Sequence, residues 1–178
     1  DWRTTLWQYM IKTPIDYMGF DRRFVGRGLY LDALEGETVN IAICVDTSAS
    51  VGDNELSQFL SEIQGILSSY PHIACDLYFA DAELYGPYTI YSLDDVPEAK
   101  GGGGTSFEPF FEAVLSSDVY RDAAQGNFLA IYLTDGYANF PSEPEFPILW
   151  VVTKDGLSPS DFPYGMVFKS DESFSGLE

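Results

Sequence analysis

Apolar and polar positions along the chain change period several times, and each change predicts an element. VNIAICV (39–45) is almost wholly apolar, as expected of a central parallel strand covered on both faces. NELSQFLSEIQGILSSY (54–70) then carries Leu56, Phe59, Leu60, Ile63, Ile66 and Leu67 at i, i+3, i+4, i+7, i+10 and i+11, one helical stripe. Asp53 stands where an N-cap would. HIACDLYFAD (72–81) predicts a second strand. YGPYTIYSL (85–93) predicts its hairpin partner, antiparallel at an edge. FEPFFEAVLSS (107–117) predicts a second helix with Pro109 in its first turn. NFLAIYLTDG (127–136) and FPILWVVTK (146–154) predict two further core strands, and YGMVFK (164–169) a short last one. Strands alternating with helices imply an α/β sandwich with a mostly parallel sheet.

Residues 1–36 break this rhythm. WRTTLWQYMI reads as a short helix with Leu6 and Met10 on its apolar side, ended by Pro14. DYMGFDRRFVGRGLYLDAL is aromatic, basic and punctuated by glycines, as in turns or a hairpin. The expected division is an extension over 1–36 and one domain over 37–178. The extension would wrap the domain or face an upstream one. A chain that starts at Asp1 is expected to be part of a longer protein.

The 178 residues are 46% hydrophobic and 16% aromatic, enough for one folded core. No apolar run approaches the roughly 18 residues a membrane helix needs, and the first residues lack the basic start and apolar block of a signal peptide. Net charge is −19, from 28 acidic and 9 basic residues. Arg3, Lys12, Arg22, Arg23 and Arg27 all precede residue 28, so the remainder is strongly acidic. Such a body repels phosphate backbones and attracts cations or basic surfaces, so neither nucleic acid nor membrane is expected as a partner. Cys44 and Cys75 sit in apolar runs and His72 is the single histidine, which argues against zinc and against a disulfide scaffold. Two buried free thiols suit a cytoplasmic location.

In a mostly parallel sheet, ligands bind beyond the carboxyl ends of the strands. Three loops are expected at that edge: DTSAS (46–50), GGGGTS (101–106) and TDG (134–136). They offer Asp46, Ser48, Ser50, Thr105 and Asp135, all oxygen donors, a set suited to a hard divalent cation such as Mg²⁺. Each loop alone has a plainer reading. DTSAS is also a capped turn, Thr105 with Glu108 is a T-x-x-E capping box, and TDG is a common turn. The glycine run lacks the lysine of a nucleotide-binding loop. Asp81 ends the second strand near the same edge, where it either reaches the site through water or starts a turn. Gly101 to Gly104 would allow positive φ and a close approach of Thr105. Tyr137 and Phe140 either rim the surface or pack beneath the loop. Trp150 is expected in the core.

Together, the DTSAS, GGTSF and LTDG segments resemble a von Willebrand factor A-type (VWA) domain. The resemblance implies a Rossmann-like VWA sandwich: a mostly parallel central sheet with one antiparallel edge strand and helices on both faces. It also implies a metal-ion-dependent adhesion site (MIDAS). There Asp46, Ser48, Ser50, Thr105 and Asp135 would hold Mg²⁺ (or Mn²⁺/Ca²⁺), directly or through water, and a partner's carboxylate would complete the shell. WR-x-x-L near the start, DRRF (21–24), YLDAL, KGGGGTSFEPFFE, YLTDGYANFP and PILWVVT look like a bacterial VWA-like domain of unknown function. That domain lies C-terminal to a metallopeptidase-like segment and is associated with MoxR-type AAA+ ATPases. Ser106 stands where close relatives are expected to carry Asp, and it can still cap the helix.

The expected function is a non-enzymatic, metal-dependent protein-binding module, with a MoxR-type AAA+ ATPase among its partners. The alternative is an Mg²⁺-dependent phosphohydrolase or phosphotransferase with Asp46 as nucleophile. Such enzymes usually carry an acid two residues later, where this chain has Ser48. Lys100 and Lys154 would be the candidates to bind phosphate. A metal-free scaffold whose site has lapsed is the third reading.

Overall fold

The computed structural model describes residues 39–69, 73–90, 98–122 and 128–169. The expectations for residues 1–36, for the side chains of Ile66 and Leu67, and for the outer ends of several strands lie outside the described residues. In chain order the elements are β1 (Val39–Asp46), α1 (Asp53–Ser69), β2 (Ile73–Ala80), β3 (Leu84–Ile90), α2 (Glu108–Ser116), α3 (Asp118–Asp122), β4 (Phe128–Thr134), β5 (Ile148–Val152) and β6 (Met166–Lys169). A single turn of 3₁₀ helix spans Pro159–Asp161.

The strands form one sheet of order β3-β2-β1-β4-β5-β6. All neighbouring pairs are parallel except β2 with β3. This is the mostly parallel sheet with an antiparallel edge expected from the sequence. Pro87 interrupts β3 as a central strand could not tolerate.

Alternation along the strands separates two cores. Ile41, Ile43 and Val45 of β1, with Leu77, Phe79, Leu129, Ile131 and Leu133, pack against Phe59 and Ile63 of α1. Ala42 and Cys44, with Tyr78, Tyr132 and Trp150, pack against Phe107 and against Phe110, Phe111 and Val114 of α2. Helices therefore cover both faces, which is why the central strands carry almost no polar residue. The second core is aromatic: Phe107 meets Tyr132, Phe140 and Trp150 with ring centroids 5.0 to 5.3 Å apart.

The caps of two helices differ from the sequence reading. Asp53 lies in the first turn of α1, not ahead of it. The carboxylate of Glu55 reaches back to accept the Gly52 N–H at 3.1 Å, and an acid in the first turn still complements the helix dipole. The T-x-x-E capping box is absent. Phe107 is the N-cap of α2, with no side-chain cap, so neither Thr105 nor Ser106 caps it. The fully buried Phe107 ring fixes where the helix starts, and Thr105 is left in the preceding loop. The five-residue α3 is too short to show a period in sequence; the Ser117 hydroxyl accepts the Tyr120 N–H at its start.

Candidate metal centre at the carboxyl edge of the sheet

From β1 the chain crosses to β2 on one side, and from β4 to β5 on the other. The crevice where the strand order reverses lies between the ends of β1 and β4. Asp46 is the last residue of β1, and Asp135 follows the last residue of β4. Both are buried, at 0% and 4% exposure.

Asp46 is held by both oxygens. Its Oδ1 accepts the Ser48 N–H at 2.8 Å, and its Oδ2 accepts the Thr134 hydroxyl at 2.6 Å. The Thr134 oxygen in turn accepts the Gly136 N–H at 3.0 Å, so one hydroxyl joins both carboxylate loops. Ser48 and Ser50 hydroxyl oxygens lie 3.1 Å apart, with Ser48 buried and Ser50 exposed. Asp135 Oδ1 accepts the Tyr137 N–H at 3.1 Å, and its backbone carbonyl accepts the Leu157 N–H at 2.8 Å. Burial raises the Asp46 carboxyl above its usual range. Hydrogen bonds from Ser48 and Thr134 oppose this, and the charge of Asp135 raises it further. A cation between the two carboxylates would reverse the last effect.

Thr105 is half-buried and sits on a separate loop. Backbone contacts tie that loop to DTSAS: the Ala49 N–H donates to Gly103 O at 3.2 Å, and Thr47 Oγ1 to Lys100 O at 2.5 Å. A Cβ at Gly101 would lie 1.9 Å from Thr47 Oγ1, and its φ is +140°, so only glycine fits there. Gly102 shares the positive φ, while Gly103 and Gly104 do not.

The structure thus brings Asp46, Ser48, Ser50 and Asp135 to one crevice, with the Thr105 loop beside it. Among the described residues, no group of three or more His, Cys, Asp or Glu side chains is placed to hold a metal. The candidate set has only two carboxylates. Its other donors are hydroxyls, and an all-oxygen set of this kind fits Mg²⁺ with several waters retained.

Asp81 serves the turn reading: its Oδ1 accepts the Glu83 N–H and its Oδ2 the Gly103 N–H. Tyr137 is exposed at the rim, while Phe140 packs beneath against Phe107 and Trp150. Trp150 is wholly buried, as expected. Thr134 is the residue that sequence reasoning passed over. The only signal was a hydroxyl ending an otherwise apolar strand. A groove of about 220 Å³ lined by Phe146, Ile148, Tyr164 and Met166 lies at the opposite, amino ends of β5 and β6, away from these carboxylates.

A sheet of this order, with an Asp-x-Ser-x-Ser loop at its switch point, defines an α/β domain of the VWA-like fold. The chain belongs to the VWA-like domain family DUF2201, whose model matches residues 41–171. The ArnB paralog VWA2 from Sulfolobus acidocaldarius aligns with a TM-score of 0.51 at 14% identity, over 67% of this chain and 36% of that one. This chain therefore spans little more than a third of that protein. An aerotolerance-related membrane protein from Bacteroides fragilis aligns at 0.49 and 14% identity, over 76% and 78% of the two chains. BatB from Bacteroides thetaiotaomicron aligns at 0.47 and 12%, over 68% of each. No curated protein matches the chain. VWA-like domains generally mediate protein interactions and often bind a divalent cation at a MIDAS.

Proposed function

We propose that this chain is a cation-dependent protein-binding module. Asp46, Ser48, Ser50, Thr105 and Asp135 would hold Mg²⁺, Mn²⁺ or Ca²⁺, directly or through water. When bound, the ion supplies an electrophilic centre for a carboxylate on a partner protein. The observation that carries this reading is the convergence of two buried carboxylates and a hydroxyl pair at the crevice between β1 and β4. The hydroxyls add no charge beyond that of the two carboxylates, and with part of the contact made through water a six-coordinate cation keeps a position that an outside carboxylate can fill.

Non-enzymatic binding is favoured over phosphoryl transfer by Ser48, which stands two residues after Asp46 where such enzymes usually carry an acid. Its hydroxyl lies 3.1 Å from that of Ser50, so the position offers a neutral oxygen and no general acid or base. The family resemblance supports a place in a larger protein, downstream of a metallopeptidase-like segment, working with a MoxR-type AAA+ ATPase. Residues 1–36 would form a separate extension to the domain at 37–178. The buried free thiols Cys44 and Cys75 favour the cytoplasm.

The test is binding to a MoxR-type AAA+ ATPase from the same organism, measured by surface plasmon resonance in Mg²⁺ and in EDTA. Binding in Mg²⁺ that is lost in EDTA and in Asp135→Ala is the expected result. Equal binding in EDTA would remove the cation from the function. Hydrolysis of a generic phosphomonoester that is lost in Asp46→Asn would instead establish the enzyme reading.

A further inference from the structure

The loop that carries Thr105 has no regular structure of its own between residues 101 and 106. Four consecutive glycines give it the most conformational freedom any such segment can have. Its order must come from outside. On one side Thr47 and Ala49 bond to Lys100 O and Gly103 O. On the other side, among the described residues, stands Asp81, just past the end of β2.

Asp81 is 8% exposed, and the two loop residues it bonds, Gly103 and Ser106, bracket Thr105 in sequence. Its Oδ2 accepts the Gly103 N–H at 3.1 Å, two residues before Thr105. Its backbone carbonyl accepts the Ser106 N–H at 3.0 Å, one residue after. Its Oδ1 accepts the Glu83 N–H at 2.8 Å, and its own N–H donates to Glu83 O at 3.0 Å, which locks the carboxylate in its tight turn. A Cβ at Gly103 would lie 3.1 Å from Oδ2, so the loop backbone and the carboxylate are in close apposition. Both oxygens are engaged with backbone amides.

We propose that Asp81 is a positioning residue for the cation site, setting its affinity by holding the Thr105 loop in place without serving as a ligand. This rests on the reading of Asp46, Ser48, Ser50, Thr105 and Asp135 as the cation site. If the loop is released, Thr105 spends only part of its time in the competent position. The apparent dissociation constant then rises by the reciprocal of that fraction.

The experiment is Mn²⁺ titration calorimetry on wild type, Asp81→Asn, Thr105→Ala and the double variant. Glu83→Gln serves as a control that removes a neighbouring exposed charge but not the strut. Asp81→Asn keeps the side-chain shape and places an amide group where one of the two backbone N–H donors needs an acceptor. It should weaken Mn²⁺ binding about 10- to 100-fold, as outer partners of metal ligands do. The same change in the Thr105→Ala background should have almost no further effect, since a residue acting through Thr105 has nothing left to act on. Glu83→Gln should bind as wild type does. Amide hydrogen exchange in EDTA gives a readout that needs no metal: the Gly103 amide should lose protection in Asp81→Asn and keep it in Thr105→Ala.

Equal weakening by Asp81→Asn in both backgrounds would overturn the proposal, because Asp81 would then act on the ion by its charge or as a ligand. Unchanged affinity alongside an exposed Gly103 amide would overturn it too, because the order of the loop would not matter. Failure of the underlying site is distinguishable. Wild type and Asp135→Ala would then be equally silent in calorimetry, and any loss of Gly103 protection would make Asp81 a strut for the fold alone.

Discussion

Asp46, Ser48 and Asp135 are at most 4% exposed, whereas Ser50 is exposed and Thr105 half-buried. The first three stand at or next to the ends of β1 and β4, and their positions follow from the parallel ladder between those strands. Ser50 and Thr105 stand on loops whose positions follow from a few side chains: Ser48, Thr47 and Asp81. The strand-borne half is fixed by cooperative structure that yields only on unfolding. The loop-borne half is fixed by local hydrogen bonds, each worth about 1 kcal/mol net. A cation site built this way would keep its two carboxylates in place while Ser50 and Thr105 adjust.

The largest effect should come from removing the floor beneath the loop-borne half. Phe107 is fully buried among Tyr132, Phe140 and Trp150. Phe107→Ala should cost about 3–5 kcal/mol in urea unfolding. A loss under 1 kcal/mol would mean that the aromatic layer does not anchor the loop.

Next is the hydroxyl that joins the two carboxylate loops. Thr134→Val keeps the shape but removes the bond to Asp46 Oδ2 and the acceptor for Gly136 N–H. Mn²⁺ affinity should fall about 10- to 100-fold. Wild-type affinity in this variant would show that the sheet positions Asp46 without help.

A smaller effect concerns pH. Burial holds the Asp46 pKa above its usual carboxyl value, near 3.9 in model peptides. With the folded pKa raised, the protonated form favours folding. That contribution is present below the unfolded pKa and is lost as pH rises through the folded one. Without cation, Asp46→Asn should therefore melt higher than wild type at neutral pH, and its advantage should shrink as pH falls towards 4. Asparagine can accept the Ser48 N–H and donate to Thr134, so the fold tolerates it. With saturating Mg²⁺ the order should reverse. A variant less stable than wild type at neutral pH without cation would show that the ionised carboxylate stabilises the fold.

Much of this was legible in the sequence. Strands buried on both faces read as unbroken apolar runs, so β1, β4 and β5 stand out. The oxygen-bearing loops follow directly on those runs, so Asp46, Ser48, Ser50 and Asp135 could be placed at one edge. The roles of Thr134 and Asp81 were not legible. Thr134 bonds Asp46 across 88 positions of sequence, and only the register of β1 against β4 makes them neighbours. Asp81 was visible as a turn residue, but its hold on Gly103 depends on how the glycine loop folds back. The start of α2 follows the sequence, but the T-x-x-E capping box does not form: burial of Phe107 in the aromatic cluster makes it the N-cap and leaves Thr105 in the loop before the helix.

The most direct test of the cation site is thermal unfolding of wild type and Asp135→Ala in EDTA and in Mg²⁺ at about 100 times its dissociation constant. Binding at that level stabilises the folded state by about 2.7 kcal/mol, or roughly 5–10 °C for a chain of this size. The account predicts that rise in wild type and its loss in Asp135→Ala. An equal response of both proteins to Mg²⁺, or no response in either up to millimolar cation, would contradict it.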